Sequence, residues 1–136
     1  MAIVDDATIS NQTIVFRILL DGWVSIVANR IRPNSLALLD SNFENSCFIS
    51  NDQSFTELQR LFPGQPVAGI PVEVLRTNGF VVERRPGECP TDYQGNPDDH
   101  VVVGPPAPCS RKIYQRGSQA IVKDTRVIML RLVQNR

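Results

Sequence analysis

The sequence predicts a mainly β domain, a β-sandwich or small β-barrel carrying one short α-helix. Three observations lead there: Ile- and Val-rich runs recur along the chain, the dipeptides Asp21-Gly22 and Asn78-Gly79 punctuate two of them, and the carboxyl-terminal run is apolar on both alternating faces. With 136 residues the chain fits one domain, and at that length folding buries roughly two-thirds of the unfolded surface, so a core forms without disulfide staples.

The first element is a hairpin. Thr13 to Leu20 is β-branched and apolar, Asp21-Gly22 favours a tight turn, and Trp23 to Ala28 is apolar again. A helix competes, because Thr13, Arg17, Asp21, Ser25 and Asn29 recur every four residues as a polar stripe, and it would make the fold α+β. The hairpin is preferred, since Gly22 inside a helix costs about 1 kcal/mol. Next, Ser54 and Glu57 form a Ser-x-x-Glu capping box, Leu58, Leu61 and Phe62 supply an apolar side, and Pro63-Gly64 stops the helix. A second hairpin is expected from Val72 to Arg85 around Asn78-Gly79, pairing Thr77 with Phe80, Leu75 with Val82 and Glu73 with Arg84.

Residues 86–110 hold six prolines and three glycines around the strand-like Val101-Val102-Val103, which reads as a proline-rich arm or a pair of excursions. From Arg111 to Arg116 and from Gln119 to Val133 the chain reads as further strands, with a turn near Lys123-Asp124-Thr125. Ile128, Leu130 and Leu132 line one face; Val127, Met129 and Val133 line the other, relieved by Arg131.

Charge is balanced overall, fourteen bases to fourteen acids, so the total points to no partner. Its distribution does. Twelve of the bases are arginine, the cation suited to interfaces. The tract 33–59 carries Asp40, Glu44, Asp52 and Glu57 with no Lys or Arg, and 87–100 carries Glu88, Asp92, Asp98 and Asp99 likewise. From Arg111 onward seven bases face one acid, Asp124, a net of +6. Complementary tracts on one chain predict head-to-tail contact between copies; the alternative is solvated faces or pairing within the monomer.

The amino terminus, with Asp5 and Asp6 and no base before Ser10, lacks the charged opening of a secretion signal. No run of about eighteen apolar residues exists to span a membrane. Cys47, Cys89 and Cys109, an odd number without paired spacing, are expected as free thiols, which favours the cytoplasm or an assembled particle.

Three chemical constellations compete with plain structural roles. Cys47 with His100 could form a nucleophilic pair, but the surroundings of Cys47 read as a buried filler site. Cys89, His100 and Cys109 could ligate zinc, yet the usual ligand pairs lie about two to four residues apart and these do not. Asp92 to Asp99 is oxygen-rich without the spacing of a calcium loop. The expectation is therefore a structural assembly subunit with no catalysis, cofactor or metal, a homo-oligomer or part of a larger complex, such as a capsid-associated or head-tail component of a phage-like particle. Arg111, Arg116, Arg126 and Arg131 would form one interface and Asp92, Asp98 and Asp99 its complement. The alternatives are a small β-barrel that binds nucleic acid through the basic tract, where Tyr114 is the one aromatic, and a small enzyme using His100 and Cys47.

Overall fold

The computed structural model describes residues 3–131, the last of them by its backbone alone. In chain order it contains β1 (Ile14–Ile18), β2 (Val24–Ser25), β3 (Arg30–Ile31), β4 (Asn45–Ile49), α1 (Asp52–Leu61), β5 (Pro66–Pro71), α2 (Val72–Thr77), β6 (Val81–Arg84), β7 (His100–Gly104), α3 (Arg111–Lys123) and β8 (Ile128–Arg131). Six strands form one antiparallel sheet in the order β6-β7-β4-β1-β5-β8, while β2 pairs with β3 alone. The architecture is mainly β, as the sequence predicts.

Directly paired residues point to the same side of a sheet, so the register assigns each side chain to a face. Val15, Cys47, Ala68, Ile70, Val82, Val101 and Val103 share one face and pack into the larger core with Leu75 of α2 and Tyr114, Ile121 and Val122 of α3. Phe16, Phe48 and Val67 lie on the other, under Leu58 of α1 and Tyr93 of the segment before β7. Each fully buried apolar side chain contributes roughly 1.5–3 kcal/mol relative to exposure, so both layers hold the sheet.

The expected hairpins do not form. β1 pairs with β4 and β5, and Asp21–Trp23 is a 3-10 turn leading to β2. Gly22 is not among the residues with positive φ, which a tight Asp-Gly hairpin turn would require. At the second site Val72–Thr77 is helical, and Asn78-Gly79 ends that helix. Asn78 has φ −100°, Gly79 has φ +82°, and the Gly79 and Phe80 N–H groups bond the Arg76 and Leu75 carbonyls in the pattern of a Schellman stop. Arg84 then pairs with Asp6 at 2.8 Å, not with Glu73.

Two further boundaries move. Helix α1 begins with Asn51 as N-cap: its side chain accepts the Ser54 N–H at 2.7 Å and the Ser54 hydroxyl accepts the Asn51 N–H at 3.0 Å, so Ser54 is the far member of the box. Residues 111–123, read as strand, form α3, capped by the Ser110 side chain, with Tyr114, Ser118, Ile121 and Val122 buried at helical spacing. The proline-rich stretch is two excursions around β7, an interior strand with all five residues buried. β8 lies where a strand was expected; Leu132, Val133, Arg136 and the side chain of Arg131 lie outside the described residues.

Candidate functional site

The expected interface residues divide between the two layers that cover the sheet. On α3, Arg111, Lys112, Arg116 and Lys123 are exposed and no acidic residue interrupts them. The Arg111 guanidinium lies over the rings of Phe43 and Tyr114, 5.7 and 5.6 Å from their centroids, which fixes it while leaving it open to solvent. Arg126 is committed within the chain. It grips Asp124 through Nε and an Nη at 3.0 and 2.9 Å, and those hydrogen bonds pull the Asp124 carboxyl down to about 2.

The acids sit across the sheet from α3. The 86–99 excursion packs against the α1 layer: Tyr93 stacks on Phe48 with ring centroids 4.8 Å apart, and the Gln94 N–H donates to Glu57. Asp92 and Asp98 are exposed, and Asp99 accepts a hydrogen bond from the Asn51 side chain at 2.9 Å. Thus Arg111 and Arg116 share one face, Asp92, Asp98 and Asp99 share another, and the sheet keeps them apart.

Beside the acidic excursion lies a cleft of about 200 Å³ lined by Asp40, Asn42, Glu44, Ser46, Glu88, His100 and Val102. Two of the lining carboxylates are held by Arg85, a nearly buried guanidinium bonded to Glu44 at 2.9 Å and to Glu83 and Glu88 at 3.3 Å. The hydrogen bonds to Glu83 and Glu44 drive the Arg85 pKa further up against the opposing effect of burial. His100, 3% exposed, places Nε2 2.7 Å from the Ser46 hydroxyl and Nδ1 2.9 Å from the Arg85 carbonyl oxygen.

Cys47 cannot reach this group. It pairs with Val101 while Phe48 pairs with His100, so thiol and imidazole occupy opposite faces, and burial pushes the thiol up to about 11. The partner of His100 is the neighbouring Ser46, which sequence reasoning missed; alternation in β4 was the available signal, since a buried Cys47 turns Ser46 to the other face. Cys89, His100 and Cys109 do not assemble: among the described residues no group of three or more His, Cys, Asp or Glu side chains is placed to hold a metal ion. Compared with protein-family models, curated proteins and solved structures, the chain matches none.

Proposed function

We propose that the domain is a structural subunit that self-associates head to tail, the basic face of α3 in one copy meeting the acidic 86–99 excursion of the next. The supporting observation is the segregation of Arg111, Lys112, Arg116 and Lys123 from Asp92, Asp98 and Asp99 onto opposite covering layers of one sheet. Charges separated by that thickness are screened from one another, since the Debye length is about 10 Å at 0.1 M salt. They remain available to a second copy. A contact between unlike faces is heterologous, so it closes a ring or extends a filament.

Light scattering of the purified protein at low and high salt tests this. The expected result is a species well above 15.2 kDa at low salt that shrinks at high salt, and that is lost in Lys112→Glu/Arg116→Glu while the fold is kept. A 15.2 kDa monomer at both salt concentrations overturns it. Steeply salt-dependent DNA or RNA binding by such a monomer, lost in the same variant, would move the function to nucleic-acid binding.

A further inference from the structure

The geometry points to Ser46 and His100 as a nucleophilic pair for acyl transfer from a cationic ester, a role independent of the assembly reading. Ser46 lies opposite Val102 and His100 opposite Phe48 in the β4–β7 register, so the two are diagonal neighbours on one face. Their side chains meet at 2.7 Å. The other ring nitrogen settles the proton's position: a carbonyl oxygen only accepts, so Nδ1 carries the hydrogen that bonds Arg85 O at 2.9 Å. In the neutral ring Nε2 is then the bare acceptor, and the Ser46 hydroxyl donates to it. This is the arrangement a general base needs to receive a serine proton, with a backbone carbonyl as the orienting third group.

The pair is also placed for use. The imidazole is almost wholly buried but lines the cleft, edge-on to Phe48 at 5.3 Å, while Ser46 is exposed in it. The carbonyl that orients the ring is held because the Arg85 N–H donates to His100 O at 3.0 Å and the Arg85 side chain is tied to three carboxylates. A purely structural partner for His100 would not need a hydroxyl open to solvent.

In the first half-reaction the Ser46 oxygen bonds to the ester carbonyl carbon and its proton passes to Nε2. The intermediate then breaks its bond to the alcohol oxygen, which takes the proton from Nε2. Water repeats the sequence on the acyl-serine and releases the carboxylic acid. Asn42 lines the cleft with its Oδ1 occupied by the Glu44 N–H at 3.1 Å, which leaves its amide nitrogen as the donor for the developing oxyanion. Asp40, Glu44 and Glu88 line the same cleft and no Lys or Arg is among its lining residues, although Arg85 bonds Glu44 and Glu88 and Arg17 donates to the Ser46 carbonyl oxygen at 2.9 Å, so a substrate with an ammonium group in its alcohol is favoured over an anionic one. The volume of about 200 Å³ suits a short acyl chain.

A fluorophosphonate probe tests the assignment: attack by Ser46 forms the O–P bond and expels fluoride, and peptide mapping locates the adduct. The expected result is selective labelling of Ser46 over the exposed Ser41, abolished by Ser46→Ala, slowed by a factor of about 100 or more by His100→Gln, and reduced by tetramethylammonium. Should His100→Gln fail to fold, Ser46→Cys replaces it: the introduced thiol should react with iodoacetamide faster than Cys109. Ser46 labelling no faster than Ser41, or a thiol at 46 no faster than Cys109, overturns the nucleophile. Labelling that tetramethylammonium leaves unchanged overturns the cationic substrate class.

Discussion

Replacing Arg85 by Met removes one cation from among three carboxylates and leaves a side chain of similar reach. Losing one partner of a buried pair costs about 3–5 kcal/mol, because the remaining charge is stranded. Here the guanidinium is 8% exposed and Glu44 14%, but Glu83 is 28% and Glu88 51% exposed, so those two rehydrate when freed. With most of the penalty confined to Glu44, the expected loss at pH 7 is about 2–3 kcal/mol. The pH dependence carries the sign. Glu83 feels burial, which raises its pKa, but hydrogen bonds from Arg85 and the Val4 N–H prevail and hold it below its ordinary value. A depressed carboxyl contributes stability that is present above its unfolded pKa and lost as pH falls through the folded one. Without Arg85 that depression is lost and the carboxylates repel, so the difference between wild type and variant should shrink as pH falls from 7 through the ordinary Glu value of 4.5 toward the lowered Glu83 value. Urea unfolding followed by the fluorescence of Trp23, the one tryptophan, measures both. A loss under about 1 kcal/mol at pH 7, or an equal loss at pH 4, refutes the reasoning.

Gly117→Ala should destabilise α3 although alanine is the better helix former by about 1 kcal/mol, since the added Cβ would lie 3.0 Å from both the Asn78 carbonyl oxygen and the Phe80 ring; a raised melting temperature would contradict this. Leu58→Ala, a fully buried site in the smaller core, should cost about 2–5 kcal/mol by urea titration. In Arg126→Ala the Asp124 carboxyl, now at about 2, should move up toward the ordinary 3.8 by NMR while staying below it, because the residue-126 N–H and Arg30 remain, and the stability it lends above 3.8 and loses as pH falls toward 2 should shrink. Thiol modification of the native protein should proceed in the order Cys109, Cys89, Cys47: burial and the nearby Asp92 and Asp99 push the Cys89 thiol up, and burial pushes Cys47 to about 11.

The local signals in the sequence were sound, but several admit two structures. Asn78-Gly79 serves a hairpin or a helix stop equally well, because both need a positive φ at glycine; only the φ of Asn78 separates them, and the packing of Val74 and Leu75 into the core decides it. For α3 the information was present: Ser110 as cap and buried positions 114, 118, 121 and 122 are a helical signature, obscured by Gly117 in the middle of the run. β1 presents a different difficulty. Its partners begin about thirty and fifty residues further on, and no nearby dipeptide announces a long-range pairing. The charge tracts were legible as composition, but which layer each would occupy depended on the helix that replaced the expected strands.

The Ser46–His100 pair follows from the same pattern that makes β7 a strand. Val101 and Val103 are buried in the α3-side core, and the Asn45 side chain donates to the Val103 carbonyl at 3.0 Å, locking β7 against β4. Slipping that register by one residue would push His100 into the apolar core and bring Val101 and Val103 out, a cost in both burial and unsatisfied nitrogen that the fold does not incur. Two apolar residues and one amide thus hold a histidine beside a serine fifty-four positions away. The geometry at that cleft therefore does not require local residues specialised for it, which is why no sequence motif marks it.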